Sequence, residues 1–105
     1  MKKIIVTGGS RGIGRACVEL FSENGCAVAF IYCSNDEAAQ ECANATGAYA
    51  IKVDLVGKYE GEWAYNKAKD YLGGIDVLIN NAGISLSSLV TDTTDDEWMN
   101  VINTN

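Results

Sequence analysis

The sequence predicts an α/β fold built on a parallel sheet, and three observations carry that prediction. Four apolar runs of strand length recur along the chain, at Lys3–Thr7, Cys26–Tyr32, Ala48–Asp54 and Ile75–Asn80. A stretch with helical periodicity separates each run from the next. The first run passes through Thr7-Gly8-Gly9-Ser10-Arg11-Gly12-Ile13-Gly14 directly into an amphipathic stretch, so a glycine-rich turn joins strand to helix. Strands alternating with helices give parallel pairing through right-handed crossovers, here β-α-β-α-β-α-β.

The elements follow in chain order. After the first strand, glycine at positions 8, 12 and 14 lets the backbone take φ values closed to other residues, bring its N–H groups near a pyrophosphate and pack the next helix tightly on the sheet. That first helix carries Ile13, Ala16, Cys17, Leu20 and Phe21 on one face, and Gly25 is placed to end it in a left-handed conformation. The second helix runs from a Ser34 or Asn35 cap, with Asp36 and Glu37 in its first turn, to Gly47. The third, roughly Glu60 to Leu72, stops at Gly73-Gly74. A fourth helix opens at Thr94-Asp95-Asp96-Glu97, a capping-box pattern, and brings in Trp98, Val101 and Ile102. The expectation is one domain over residues 1–105, a partial doubly wound sheet in the order 3-2-1-4.

Composition narrows the function classes. With 14 acidic against 8 basic side chains the net charge is −6, which repels nucleic acid and anionic membrane surfaces. The chain has no histidine, which excludes Ser-His-Asp and Cys-His mechanisms within it and leaves Tyr, Lys, Asp, Glu and Ser as acid–base groups. Cys17, Cys26, Cys33 and Cys42 form no C-x-x-C pair, so they read as packed thiols in a reducing compartment and no metal is expected. The apolar start, Met1 to Val6, dies at Thr7-Gly8, far short of a secretory signal or a membrane span, so a cytoplasmic location is expected.

Val53-Asp54-Leu55 and Leu78-Ile79-Asn80-Asn81-Ala82-Gly83 follow the glycine turn in order, and together the three segments resemble the short-chain dehydrogenase/reductase family. The likeness runs from Lys3 to the Trp98–Asn105 segment, where the family carries a W-x-x-x-x-x-x-N helix. It implies a Rossmann-type fold with a nicotinamide dinucleotide across the C-terminal ends of the strands. Gly8, Gly9, Gly12 and Gly14 would form the turn, while Ser10, Arg11 and Ile13 would meet the phosphates or the ribose. Arg11 would pair with a 2′-phosphate or stack on adenine. At the end of the second strand Tyr32 stands where an acid would select NAD; with Tyr32, Ser34 and Asn35 there, the resemblance implies NADP(H), with NAD the alternative. Asp54 would accept a hydrogen bond from the adenine amino group beside the Leu55 backbone. Asn81, Ala82 and Gly83 would line the ribose and clear a path for the ring. Asn105 matches the active-site Asn that holds a water in the family's proton relay.

Within the family the flavour is that of the 3-oxoacyl-acyl-carrier-protein reductases, whose catalytic Ser and Tyr-x-x-x-Lys lie beyond Asn105. The resemblance thus implies the N-terminal portion of an enzyme that reduces a ketone or 3-oxoacyl thioester, inactive without a C-terminal half. An alternative is a noncatalytic nucleotide-binding module that pairs with another chain through its fourth strand, which would otherwise be an apolar edge. Tyr65-Asn66-Lys67-Ala68-Lys69 matches Tyr-x-x-x-Lys in letters, but it precedes Asn80-Asn81-Ala82-Gly83 and reads as ordinary helix surface. Ser85, Ser87 and Ser88 read as loop hydroxyls, and the acidic run Asp92, Asp95, Asp96 and Glu97 as a helix start rather than a metal site.

Overall fold

The structure is a computed structural model that describes residues 1–8, 12–53, 58–80 and the backbone of 100–103. Its elements are β1 (Lys3–Thr7), α1 (Gly12–Glu23), β2 (Ala27–Tyr32), α2 (Asp36–Thr46), β3 (Tyr49–Lys52), α3 (Lys58–Leu72), β4 (Val77–Asn80) and β5 (Asn100–Asn103). All strand pairs are parallel, and the sheet order is β3-β2-β1-β4-β5. The expected order 3-2-1-4 stands within it.

Alternation along the strands sorts the apolar residues into two cores. One face carries Ile4 and Val6, Val28 and Phe30, and Val77 and Ile79 against Val18 of α1 and Ala39 and Cys42 of α2. The other carries Ile5, Ala29, Ile31, Ile51 and Leu78 against Ala64, Tyr65, Ala68 and Leu72 of α3. Strands buried on both faces are why the sequence shows continuous apolar runs rather than alternation.

The helix ends follow local chemistry. Asn35, not Ser34, caps α2: its Oδ1 accepts from the Ala38 N–H at 3.0 Å. Gly47 closes the helix in the left-handed region, φ 79°, and donates its N–H to the Ala43 carbonyl at 2.8 Å. At the N-terminal edge of the sheet, Asp76 ties β1 to the β4 approach: its Oδ2 accepts from the Lys3 N–H at 2.8 Å, and its own N–H donates to the Lys3 carbonyl at 2.7 Å.

Four expectations are corrected. The buried line of α1 is Gly14, Cys17, Val18 and Phe21, whereas Ile13, Ala16 and Leu20 face solvent. Gly14, lacking a side chain, lets the helix backbone settle on the sheet and turns the inward stripe about one residue past the predicted one. Tyr65 is not surface but core, only 6% exposed under α3. The span Asn100–Asn103, expected to be helical, is strand; β-branched Val101 and Ile102 suit a ladder, and the otherwise open edge of β4 offers one. The capping box at Thr94–Glu97 lies outside the described residues. Consequently β4 is not the edge of the sheet, and the fourth-strand pairing surface is already occupied by β5.

Of the thiols, Cys42 is buried, Cys17 and Cys26 are half-buried and Cys33 is exposed. No helix among the described residues is long and apolar enough to cross a membrane.

Candidate functional site at the C-terminal edge of the sheet

Parallel strands end together, so the register gathers the ends of β1, β2, β3 and β4 on one edge. Thr7 lies opposite Ile31 and Asn80, and Tyr32 opposite Lys52. Just past β1, Gly8 sits at φ 70° and donates its N–H to the Ile31 carbonyl at 2.7 Å. This bond holds the start of the turn against β2. Gly12 opens α1 at φ 64°, and Gly14 is buried. Both positive φ values fall where a residue with a Cβ is strained. The first turn of α1 contains no acidic side chain, so the N–H groups and dipole at this helix start meet no carboxylate of their own turn.

Beneath the turn, Thr7 and Asn80 form a buried polar bridge between β1 and β4, with exposures of 0% and 1%. The Thr7 hydroxyl donates to Asn80 Oδ1 at 3.1 Å. The bond fixes the spacing of the two strands where the doubly wound topology reverses direction. Thr7 carried no assigned role in the sequence, because only the register shows that it faces Asn80.

At the end of β2 the hydroxyl of half-buried Tyr32 donates to Asp36 Oδ1 at 3.1 Å. The Lys52 ammonium reaches both oxygens of the same carboxylate, at 3.0 Å and 3.1 Å. Hydrogen bonding from Lys52, then from Tyr32, holds the Asp36 carboxyl below its ordinary range, and the same bond raises the Lys52 ammonium. Burial and the bond to Asp36 push the Tyr32 phenol up. Asp36 is therefore a neutralised carboxylate. Sequence reasoning missed Lys52; a strand alternation ending two residues before Asp54 hinted at an exposed side chain, but its partner across the register was not visible.

Ser34 and Asn35 are exposed on the loop that follows, and the Asn35 amide oxygen is committed to capping α2. Ile13 is 62% exposed at the helix start. Arg15, a second cation near the turn in sequence, is held away from it by Glu41 and Glu19 at 3.4 Å and 3.5 Å. Gly9, Ser10, Arg11, Asp54, Leu55, Asn81, Ala82, Gly83 and Asn105 lie outside the described residues, as do the serines at 85, 87 and 88. The Tyr65–Lys69 pair sits on α3, across the sheet from α1, with the Lys69 ammonium 5.8 Å from the Tyr65 ring centroid.

The model of the short chain dehydrogenase family matches residues 2–105. The chain belongs to that family. An acetoacetyl-CoA reductase from Shinella zoogloeoides is 44% identical over 102 residues, which is 96% of this chain and 42% of that protein. A 3-oxoacyl-(acyl-carrier-protein) reductase from Vibrio harveyi is 41% identical over 107 residues, 99% of this chain and 43% of that protein. Among solved structures, a short-chain dehydrogenase/reductase from Serratia marcescens superposes with a TM-score of 0.73 at 36% identity, covering 76% of this chain and 35% of that one. This short-chain dehydrogenase chain thus spans less than half the length of the curated relatives it matches here. Its sheet and its glycine turn occupy the part they share.

Proposed function

We propose that these residues form the NADP(H)-binding portion of a reductase that acts on a ketone or a 3-oxoacyl thioester. The observation that carries the reading is the turn itself: Gly8 at φ 70° bonded to β2, then Gly12 at φ 64° opening a helix without acid in its first turn. The residues fit the cofactor. Gly8 anchors the turn through its bond to β2, and backbone N–H groups from Gly9 through Gly14 would bind the pyrophosphate, with Ser10 and Arg11 in the same loop and Ile13 bordering the ribose. Asp54 and Leu55 would meet the adenine, and Asn81, Ala82 and Gly83 the nicotinamide ribose. The substrate class follows the named activities of the relatives.

Tyr32, Ser34 and Asn35 border the adenosine side, where Lys52 decides the cofactor. A bare Asp36 would repel a 2′-phosphate, but the Lys52 ammonium on it cancels that charge and leaves a site that tolerates a dianion. NADPH supplies the hydride when bound; the chain's own residues bind and orient it. Asn105 would hold the water through which a proton reaches the reacting carbonyl. The family's catalytic Tyr-x-x-x-Lys follows the Asn-Asn-Ala-Gly turn, and residues 84–105 contain neither Tyr nor Lys, so these 105 residues alone are expected to bind without turnover.

Fluorescence titration with NADPH and NADH tests the reading. NADPH should bind more tightly. Lys52→Glu, which puts a second carboxylate beside Asp36, should weaken NADPH about tenfold or more, a loss on the order of 1.4 kcal/mol, and leave NADH nearly unchanged. Equal loss for both cofactors would remove Lys52 from any role at the 2′ position, and no binding of either would remove the reading itself.

A further inference from the structure

Asp36 sits where two strand ends and a helix start converge. β2 ends at Tyr32 and β3 at Lys52, cross-strand partners in the register, and α2 begins at Asp36. The carboxylate is held from two sides: the Tyr32 hydroxyl donates to Oδ1 at 3.1 Å, and the Lys52 ammonium lies 3.0 Å from Oδ1 and 3.1 Å from Oδ2. Both ends of the ion pair stay open to solvent, with the Asp36 side chain 65% and the Lys52 side chain 53% exposed. A pair so exposed adds little to stability, so either member can change partner at small cost. The two helix starts at this edge of the sheet also differ. α1 has no acid in its first turn, whereas α2 carries Asp36 and Glu37 there. A helix start beside an ammonium is a setting that suits a phosphate, and here Asp36 already fills it.

We propose that Asp36 is a second specificity-determining residue beside Lys52: a built-in anion that competes with the 2′-phosphate of NADPH for the ammonium, and that accepts the 2′-hydroxyl of NADH when no phosphate is present. The inference rests on the cofactor reading above and adds to it a means of taking both cofactors. With NADPH, Lys52 turns from Asp36 to the phosphate, while the Tyr32 hydroxyl keeps its hydrogen bond to the carboxylate left behind. With NADH, Lys52 stays in place, and the carboxylate accepts the ribose hydroxyl through a remaining lone pair. An acid is missing from Tyr32, and α2 supplies one four residues further on. Its charge is tempered by a cation from β3, so the site neither rejects a dianion outright nor selects for one strongly.

Fluorescence titration of the full chain with NADPH and NADH, wild type against Asp36→Asn, tests the competition. The amide keeps the shape of the side chain and can still accept from Tyr32, but it carries no charge. NADPH should then bind about tenfold more tightly and NADH about threefold more weakly. Opposite changes are the signature, since damage to the fold weakens both. Adenosine 2′,5′-bisphosphate and adenosine 5′-monophosphate, followed by NMR, should repeat the pattern, because the competition lies at the ribose and not at the pyrophosphate. Glu37→Gln removes the same charge from the same helical turn, at an exposed side chain, and should move the NADPH-to-NADH ratio by less than about twofold. An unmoved ratio in Asp36→Asn, a loss for both cofactors or a gain for both would overturn the role of Asp36 and leave the cofactor site standing. So would fragments that do not follow the cofactors, or a Glu37→Gln effect as large as that of Asp36→Asn, which would assign the change to net charge. A wild-type chain that binds neither cofactor would remove the cofactor reading and this inference with it.

Discussion

Phe30→Ala is expected to destabilise the fold by about 3–5 kcal/mol, a large share of the roughly 5–15 kcal/mol that holds a domain of this size together. Among the described residues Phe30 is the largest wholly buried side chain, 0% exposed. It projects from β2 into the core between the sheet and helices α1 and α2, where Val6, Val18, Ala39 and Cys42 belong to the same cluster. Removing the ring takes away its transfer free energy and leaves a cavity that strands paired on both sides of β2 cannot collapse to fill. Urea unfolding followed by circular dichroism measures the change. A loss below about 1 kcal/mol would mean that the α1–α2 core is not packed as described. Phe30 also lies next to the candidate site in structure, its ring 6.3 Å from that of Tyr32, so the variant should loosen the end of β2 before it unfolds.

Asn80→Asp should produce a loss of similar size that depends on pH. The substitution is isosteric, so packing barely changes, but it offers a carboxylate to a site only 1% exposed. The Thr7 hydroxyl can still donate, but a neutral hydroxyl does not replace the hydration of an ion. Burial therefore raises the new carboxyl's folded-state pKa above the ordinary value of about 3.9. The sign follows from linkage. Well below pH 4 the group is neutral whether folded or not, and the penalty is absent; as pH rises through about 3.9 the unfolded chain ionises first, and stability falls until pH passes the raised folded value. Relative to the wild-type chain, a cost of about 3 kcal/mol or more is expected at pH 7 and about 1 kcal/mol or less at pH 4. Urea midpoints at the two pH values give both numbers. A cost that does not vary with pH would place Asn80 in water and dissolve the bridge that spaces β1 from β4.

Much of this architecture was legible because its signals are local. Lys3–Thr7 is strand at both ends as predicted, Gly47 stops α2, and the glycine spacing after β1 locates a strand-to-helix turn without any tertiary information. What escaped depended on partners remote in sequence. The periodicity of α1 allowed stripes centred on Ile13 or on Gly14, and the choice was made by how closely the helix approaches the sheet. Tyr65 read as surface because its neighbours on α3 are polar, whereas it is buried in the cluster with Ile5, Ile31 and Leu78 on the sheet face beneath α3. Val101 and Ile102 suit either state, and the open side of β4 decides for strand. At the site, Tyr32 was readable as the residue at the cofactor-selecting position; Lys52, which neutralises Asp36 beside it, was not, since β3 must be laid in register with β2 before Lys52 reaches Asp36 at the start of α2.

Everything functional rests on main-chain amides at the end of β1 and the start of α1 gripping a dinucleotide's phosphates. The most direct measurement is an amide-resolved NMR titration of the full chain with NADPH, and with NADH alongside. Gly9, Gly12 and Gly14 should show the leading shifts, with Tyr32 and Lys52 responding more to NADPH than to NADH. A folded sample in which those glycine amides stay put, while either cofactor is in large excess, would contradict the proposed site.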